Sequence, residues 1–233
     1  MIGMQRLEST FENSYFGRYY KKNVGNFTFQ DLNKSKNWFY GWFWYLQKFV
    51  NFKKGTDRKV LEIGCSIGGA SHILSDRGFI VSSGDISSFA VQRAEKLAHK
   101  LKKNISFYTF DVEKAIPIQE KFDIIIAFEV IEHLHNPLKA ISNMKEKLVK
   151  GGVLICSTPN LPYDMSSDPT HINVKSEGEW VKILKSVGFK NVISSQVSII
   201  PFFYKFSKYF HLILPIRLRS KLINSPLFLI AKN

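Results

Sequence analysis

The sequence predicts an α/β protein with a doubly wound, mostly parallel β-sheet. Two observations support this fold class. Apolar runs of strand length alternate with helix-length segments from about residue 58 onward, and the first of these runs enters a glycine-rich turn directly. The 233 residues, 45% of them hydrophobic, are enough for one packed domain. We therefore expect one α/β domain at residues 58–233, preceded by a cap at residues 1–57.

The expected cap is rich in aromatic and basic residues. Its aromatic cluster is Trp38-Phe-Tyr-Gly-Trp-Phe-Trp-Tyr45, and the second half of the cap is predicted to be helical. So many aromatic side chains favour packing on the sheet or lining the mouth of a pocket. The alternative is that aromatics interleaved with Lys and Arg stack on nucleic-acid bases.

The net charge of +14 is concentrated at the two ends of the chain. Residues 1–59 carry 11 basic and 4 acidic side chains, residues 60–200 carry 16 and 15, and residues 201–233 carry 6 and none. Basic end segments on either side of a nearly neutral central region indicate an anionic partner. This partner could be a phosphorylated or carboxylated substrate, a membrane surface or nucleic acid. Solvated lysine is the alternative. The sequence sets no oligomeric state.

The cysteines and the hydropathy pattern bear on the compartment. Cys65 and Cys156 both lie in apolar, strand-like runs, so they are expected to be buried thiols, as in a reducing, cytoplasmic setting. The sequence has neither an uninterrupted apolar stretch of about 20 residues nor the apolar core of a signal peptide. We therefore expect a protein that is neither secreted nor integral to a membrane.

The first apolar run and its turn form the stretch Val60-Leu-Glu-Ile-Gly-Cys-Ser-Ile-Gly-Gly69. It predicts a buried strand, a turn whose glycines let a ligand approach the backbone, and then a helix. The turn differs from the dinucleotide fingerprint Gly-x-Gly-x-x-Gly, because Ser66 replaces its second glycine and Glu62 would repel a pyrophosphate. A ligand that carries an ammonium group fits this turn better.

The spacing Glu62-x-Gly64-x-Ser66-x-Gly68 resembles motif I of the class I S-adenosylmethionine-dependent methyltransferases, which have a Rossmann-like fold. The next predicted strand, Phe79–Ser83, leads to Asp85, which has the spacing of an acid that binds ribose hydroxyls. The alternative for Asp85 is a cap of the following helix. The resemblance implies that Asp111, after the third predicted strand at residues 105–110, meets the adenine amino group. The candidate cofactor residues are Glu62, Gly64, Cys65, Ser66, Gly68, Asp85, Ile86, Asp111, Val112 and Phe128.

The resemblance extends to about residue 200. Phe122–Phe128 is predicted to be the fourth strand, and a helix from Asn136 to Lys150 is expected to end at Gly151-Gly152. A fifth strand at residues 153–157, a helix ending near Val187 and a sixth strand at residues 191–199 follow. In this family the seventh strand, here residues 227–231, pairs antiparallel between the fifth and the sixth.

Candidate catalytic residues follow the fourth strand. If residues 129–134 begin a helix, Glu129, Glu132 and His133 share one face. His133 is the candidate general base, since an ordinary histidine pKa near 6.5 suits the removal of a hydroxyl proton. The Glu-x-x-Glu-His pattern resembles ubiquinone-pathway O-methyltransferases and small-RNA terminal 2′-O-methyltransferases. That resemblance implies that Glu129, Glu132, His133 and the later His171 can supply ligands for a divalent metal. For His171 the alternative is a hydrogen bond that fixes the loop.

The segment at residues 201–224 predicts an insertion with a function of its own. It combines aromatic residues with Lys205, Lys208, Arg217, Arg219 and Lys221 and contains no acidic residue. Such a segment suits either a lid over the substrate or an interfacial contact with an anionic membrane. If helical, it is expected to form two short pieces, because Pro215 interrupts it.

The sequence as a whole predicts an S-adenosylmethionine-dependent O-methyltransferase acting on a small or lipid-linked, anionic acceptor, in the cytoplasm or peripherally at a membrane. Within methyltransferases, RNA 2′-O-methylation is the alternative, although nucleic acid is the less favoured partner. Outside them, the alternatives are a nucleotide-sugar or NAD-dependent oxidoreductase and a non-catalytic Rossmann-like binding protein.

Overall fold

The computed structural model describes residues 27–159, 168–200, 207–209, 211–214, 216 and 225–233. Their strands form a seven-stranded sheet in the spatial order β3-β2-β1-β4-β5-β9-β6 and a two-stranded sheet of β7 and β8. The strands are β1 Lys59–Ile63, β2 Ile80–Asp85, β3 Ile105–Thr109, β4 Phe122–Phe128, β5 Leu148–Thr158, β6 Asn191–Gln196, β7 Ser198–Ile200, β8 Leu212–Leu214 and β9 Leu227–Lys232.

The strand directions confirm the predicted fold class. Strands β3, β2, β1, β4 and β5, in this spatial order, are all parallel to one another. Strand β9 pairs antiparallel with both β5 and β6. The order reverses between β1 and β4, which is the switch point where ligands bind in open α/β sheets. The carboxyl ends of β1, β2 and β4 therefore define the edge to examine for a site.

Helices flank this sheet, and several begin with a side-chain cap. They are α1 Phe29–Leu46, α2 Gly69–Asp76, α3 Ser88–Lys100, α4 Pro137–Glu146 and α5 Glu177–Ser186. Thr28 and Asp31 form a capping box at the start of α1, and Ser176 and Glu179 form another at the start of α5. These reciprocal bonds satisfy backbone N–H groups that the first helical turn leaves without a partner.

Alternate residues of the central strands divide the core into two layers. In β4, Ile125 and Ala127 face one hydrophobic cluster, whereas Ile124 and Ile126 face the other. The first cluster packs under α4 and α5, and the second packs under α1 and α2. Burial on both faces explains why the sequence of β4 is a continuous apolar run rather than an alternating one.

The aromatic cluster of the cap is mainly a packing element, as its composition predicted. Trp42, Phe43 and Tyr45 of α1 are buried, and the Trp42 ring contacts Phe228 at a centroid distance of 5.1 Å. The Tyr45 hydroxyl also lies 2.5 Å from the Ser195 hydroxyl of β6. These contacts fix the second half of the cap on the sheet. Residues 1–26 lie outside the described residues.

The predicted end of the helix at Lys150 is wrong. Helix α4 ends at Glu146, and β5 begins at Leu148 and includes Gly151 and Gly152. The Gly151 N–H donates to the Asn233 carbonyl at 2.9 Å, and the Asn233 N–H donates to the Gly152 carbonyl at 2.8 Å. A contact with a distant residue thus extends the strand through two glycines that resemble a helix stop.

The predicted sixth strand is divided into two. Strand β6 ends at Gln196, and β7 pairs with β8 inside the predicted insertion. Leu212–Leu214 is therefore extended, not helical, and the expectation of two helical pieces is wrong for this part. His211 lies against Gly41 of α1, and the Lys208 ammonium lies 4.9 Å from the centre of the Tyr40 ring. The described part of the insertion covers the cap helix.

Two compositional expectations can be compared with the structure. Cys65 and Cys156 are free and buried thiols, as predicted. Within the described ranges, the helices lack the combination of length and apolar character that crossing a bilayer requires.

Candidate active site

The register of the parallel strands brings the predicted site residues to one edge of the sheet. Ile63 of β1 lies opposite Gly84 of β2 and opposite Ala127 of β4. The residues that follow, namely Gly64, Asp85 and Phe128, therefore stand side by side. On β4, Ala127 is in turn opposite Cys156 of β5, which places Ser157 beside Phe128. The sheet alone thus assembles residues from four distant parts of the sequence.

The turn after β1 requires left-handed backbone conformations. Gly64 has φ +75°, Ser66 has φ +49° and Gly68 has φ +83°. A Cβ at Gly64 would lie 2.4 Å from Cγ2 of Val130, so only glycine fits there. This contact also shows that the glycine turn touches the loop that follows β4.

Asp85 connects the end of β2 to this turn. Its Oδ2 accepts the backbone N–H of Ser66 at 2.8 Å, and its Oδ1 accepts the backbone N–H of Ser87 at 3.0 Å. The N-cap of α3 is Ser87, whose hydroxyl accepts the N–H of Ala90 at 3.1 Å. The alternative in which Asp85 caps this helix is therefore wrong. Ile86, between Asp85 and Ser87 in the sequence, is half-buried.

Glu62 lies beneath the turn in a buried hydrogen-bond network. The Ser71 hydroxyl of α2 donates to its carboxylate and also contacts the Ser83 hydroxyl of β2. Burial, opposed by these bonds, raises the pKa of Glu62 from 4.5 to about 8. Burial of the carboxyl group thus favours its protonated form over the carboxylate. Burial likewise raises the pKa of the neighbouring Cys65 thiol well above its ordinary value.

The remaining predicted cofactor residues are Asp111, Val112 and Phe128, of which the first is ion-paired and the other two are buried apolar side chains. Asp111 accepts the N–H of Glu113 at 3.0 Å and pairs with the Lys114 ammonium at 3.3 Å. Val112 beside it is buried. Phe128 is also buried and stacks on Phe39 of the cap helix with ring centroids 5.7 Å apart. Phe128 thus belongs to the core between cap and sheet. The cofactor roles of all these residues stay predictions.

The loop after β4 does not begin a helix, so the predicted shared face is wrong. Only Ile131–His133 forms one short 3₁₀ helix, and Glu129 before it has a left-handed φ of +54°. The Glu129 N–H donates to the Ser157 hydroxyl at 2.9 Å, and that hydroxyl donates to Glu129 Oε1 at 2.7 Å. These two bonds to β5 hold Glu129 away from a helical conformation.

Three of the four candidate metal ligands nevertheless come together. Glu132, His133 and His171 place ligand atoms within 4.8 Å of one another, and Glu129 lies outside this group. The rings of the two histidines are 4.8 Å apart and inclined by 64°. Glu132 is fully buried, and the carboxylate also contributes to the raised pKa of Cys156, although burial is the larger cause.

The loop at residues 168–173 supplies the partners that hold this group. Nδ1 of His133 lies 3.0 Å from the Thr170 carbonyl, and the Asn173 N–H donates to the Glu132 carbonyl at 2.8 Å. Asp168 accepts the Thr170 N–H at 2.8 Å. Sequence reasoning missed Asp168, Thr170 and Ser157 as site residues. The turn-forming Asp-Pro-Thr pattern was a usable signal for the first two.

Comparison with known proteins agrees with this geometry. A family model described as a methyltransferase domain matches residues 26–194, which include the glycine turn, Asp85, Asp111 and the Glu132–His133 loop. The chain belongs to the methyltransferase domain family. This result agrees with the fold and with motif I, and it makes the protein a member of the class I S-adenosylmethionine-dependent methyltransferases.

Curated relatives of this methyltransferase-family chain include ubiquinone biosynthesis O-methyltransferases. The one from Coxiella burnetii is 31% identical over 116 residues, which cover 50% of this chain and 48% of that protein. The one from Glaesserella parasuis is 37% identical over 108 residues, covering 44% and 46%. The matching part spans about half the length of these relatives.

Solved structures share the fold of this methyltransferase-family chain. A magnesium protoporphyrin IX methyltransferase from Synechocystis, crystallised with S-adenosylhomocysteine (SAH), aligns with a TM-score of 0.67 at 18% identity and covers 98% of each chain. A [4+2]-cyclase aligns with a TM-score of 0.56 at 18% identity over 66% of this chain and 60% of its own. A shared fold therefore does not determine the reaction.

Proposed function

We propose that the protein transfers the methyl group of S-adenosylmethionine to a hydroxyl oxygen of a small or lipid-linked, anionic acceptor. The observation that carries this proposal is that the glycine turn packs against the His133 loop. Gly64 lies so close to Val130 of that loop that a Cβ would not fit between them. A methyl donor on the turn and an acceptor at His133 would then be neighbours. The O-methyltransferase relatives support oxygen as the acceptor atom.

The reaction needs alignment and a place for one proton. When bound, S-adenosylmethionine supplies an electrophilic methyl group, which passes to the acceptor oxygen and leaves S-adenosylhomocysteine. The sheet edge holds the two reactants close together, which by itself lowers the barrier substantially. His133 accepts the hydroxyl proton through Nε2, because Nδ1 faces the Thr170 carbonyl. Glu132 stands next to the imidazolium that forms and stabilises its charge.

A divalent metal is the alternative use of the same side chains. One carboxylate and two imidazoles match the mixed donor sets that bind Zn²⁺ or Mn²⁺, and Glu132, His133 and His171 would hold the ion. When bound, it would lower the pKa of an acceptor hydroxyl. Glu129 would not be a ligand, because it lies outside the group of side chains whose ligand atoms come together.

Binding and transfer experiments test the proposal in two steps. Calorimetric titrations with S-adenosylmethionine and, separately, NAD should give binding with the first only. Methyl-labelled S-adenosylmethionine and a cell extract should then give label in small-molecule or lipid fractions, which the His133→Ala variant abolishes. Label in the RNA fraction would favour RNA 2′-O-methylation instead. Cofactor binding with label in none of the fractions would favour a non-catalytic binding protein.

We also propose that the insertion and the cap helix contact an anionic membrane that holds a lipid-linked acceptor. Trp44, Tyr209, Leu212 and Ile216 are 62%, 81%, 56% and 56% exposed. Trp44 shares a helix face with Tyr40 and Gly41, which contact the insertion. Lys208 and Lys48 add positive charge, and residues 201–224 contain no acid to offset it.

Sedimentation with vesicles tests the membrane contact. The protein should pellet with vesicles that contain an anionic phospholipid, stay in solution with neutral vesicles and dissociate at high salt, because basic side chains near an anionic leaflet contribute about 1 kcal/mol each. Changing Lys208, Arg217 and Arg219 to Glu should abolish pelleting. The control is Lys121→Glu, directly before β4, compared with Lys208→Glu alone; the Lys121 variant should pellet normally. Absence of pelleting with the anionic vesicles, or equal pelleting of the triple variant, would contradict the contact.

A further inference from the structure

Asp168 organises the backbone of the loop that faces His133. Its Oδ1 accepts two hydrogen bonds from Thr170, one from the backbone N–H at 2.8 Å and one from the hydroxyl at 2.7 Å. Asp168 is only 4% exposed, so these bonds form away from bulk water. Two hydrogen bonds to one buried carboxylate oxygen hold the backbone N–H and the hydroxyl of Thr170 in place, and so fix the position of this residue in the loop.

The carbonyl group of Thr170 in turn determines which nitrogen of His133 carries the proton. Its oxygen lies 3.0 Å from Nδ1 of His133, and a carbonyl can only accept a hydrogen bond. The proton of the neutral ring is therefore on Nδ1, and the lone pair is on Nε2. A free imidazole side chain favours the opposite tautomer, so the loop selects the less common form.

Other contacts keep the loop in register with the His133 turn. The Asn173 N–H donates to the Glu132 carbonyl at 2.8 Å, and the Asn173 side chain donates to the Leu134 carbonyl. The other oxygen of Asp168, Oδ2, lies 3.8 Å from Nε2 of His171. The loop is thus attached to the residues on both sides of His133. Asp168 can therefore influence the His133 ring through Thr170.

We propose that Asp168 is a positioning residue that fixes the Nδ1–H tautomer of His133 through the Thr170 carbonyl. The role of this tautomer in methyl transfer rests on the proposed function, because Nε2 then has the lone pair that accepts the acceptor proton. The positioning itself is a property of the free protein. It can be measured without an acceptor and without turnover.

Nitrogen NMR of protein labelled with ¹⁵N-histidine, recorded at pH 8.5 where neutral imidazole predominates, tests the positioning. The six histidines are few enough to assign, and His133→Gln identifies the signals of His133. In the wild type, Nδ1 should be the protonated nitrogen. In Asp168→Ala the Nε2–H form should appear, whereas Asp168→Asn should keep the wild-type tautomer, because its carboxamide oxygen can still accept both bonds from Thr170.

Controls separate this role from a general loss of structure. Glu120→Ala, which removes an exposed carboxylate at the other edge of the sheet, should leave the His133 signals unchanged. If Asp168→Ala does not fold, Asp168→Ser replaces it, since its side chain is too short to make both bonds. A folded Asp168→Ala or Asp168→Ser protein with His133 still in the Nδ1–H form would overturn the proposal, as would an Nε2–H tautomer in the wild type.

Turnover gives a second and separable readout. In Asp168→Ala, kcat should fall about 10- to 100-fold with the KM for S-adenosylmethionine unchanged, as expected when a residue that orients a catalytic side chain is lost. A tautomer that depends on Asp168 in a protein without methyl transfer would support the positioning and contradict the proposed function. Methyl transfer with a tautomer independent of Asp168 would support the proposed function and contradict the positioning.

Discussion

The carboxylate of Asp85 accepts the backbone N–H of Ser66 at 2.8 Å, which joins the end of β2 to one of the left-handed residues of the glycine turn. The same carboxylate is the predicted ligand of the cofactor ribose. Each carboxylate oxygen has two lone pairs, so Asp85 can hold the turn and bind hydroxyl groups at the same time. One side chain would thus both shape the cofactor site and occupy it.

Asp85→Ala should weaken S-adenosylmethionine binding by roughly 1–3 kcal/mol, because ribose hydroxyls lose a charged acceptor. The measurement is calorimetric titration. Asp123→Ala is the matched control, since Asp123 also accepts a backbone N–H, that of Lys59 at 2.8 Å, but at the opposite edge of the sheet. It should lower stability without changing affinity. Equal affinity of the Asp85 variant and the wild type would contradict the assignment.

Gly64→Ala should abolish cofactor binding, because the new Cβ meets Val130 and also disfavours the left-handed φ. Gly151→Ala separates these two causes. Gly151 has a φ of +79°, and no atom lies within 4 Å of a Cβ built there. It should therefore cost only about 1–2 kcal/mol of unfolding free energy and leave binding intact. Circular dichroism checks folding, and titration checks affinity. Wild-type affinity in folded Gly64→Ala protein would show that the close fit is unnecessary.

Ser66→Gly should raise the unfolding free energy by about 1 kcal/mol, because serine at φ +49° is strained and glycine is not. The buried Ser66 hydroxyl has no hydrogen-bond partner within the described part of the chain, so its removal should cost little. Denaturant unfolding measures the change. A destabilised variant would mean that the hydroxyl makes a contact that offsets the strain.

The raised pKa of Glu62, about 8 against an ordinary 4.5, predicts a pH-dependent stability. Between these two values the folded state retains a proton that the unfolded state releases, so stability falls as pH rises through this window and levels off above it. The loss is on the order of a few kcal/mol. Urea unfolding at pH 5, 6.5 and 8 should show the decline in the wild type and little of it in Glu62→Gln. Parallel profiles for the two proteins would contradict the raised pKa.

The base and metal hypotheses for the histidine group predict different responses to chelation. If His133 is only a base, EDTA should leave turnover unchanged, and His133→Ala should regain part of its activity at high pH, where the acceptor ionises unaided. If a metal binds, EDTA should abolish turnover and added Mn²⁺ or Zn²⁺ should restore it. In that case Glu132→Ala and His171→Ala should resemble His133→Ala, whereas Glu129→Ala should lose turnover with EDTA and regain it with added metal as the wild type does, because Glu129 lies outside the group.

Strand β4 and the glycine turn were predictable because each depends mainly on its own residues. The apolar run of β4 has the predicted bounds, Phe122–Phe128, because a strand buried on both faces must be apolar throughout. The glycines of the turn at residues 64–68 were likewise recognisable, because their conformations exclude most side chains. The cofactor edge could be located from these two features and from the parallel direction of the strands.

The acceptor side of the site could not be predicted in the same way. The shared face of Glu129, Glu132 and His133 required a helix, but Ser157, 28 residues away, holds Glu129 in a left-handed conformation. His171 was expected near His133, and it does lie there. The contact that orients His133 comes from a backbone carbonyl, that of Thr170, and no side-chain pattern indicates which carbonyl will face a given ring.

The division of the core into two layers also determines how the protein can be observed during unfolding. Trp42 is buried in the layer under the cap helix, and Trp180 is buried in the layer on the other face of the sheet. The other tryptophans, Trp38 and Trp44, lie on the cap helix with Trp42. A protein with Phe at positions 38, 42 and 44 would therefore emit only from the far face. Its fluorescence, compared with that of Trp180→Phe, would follow the two faces separately.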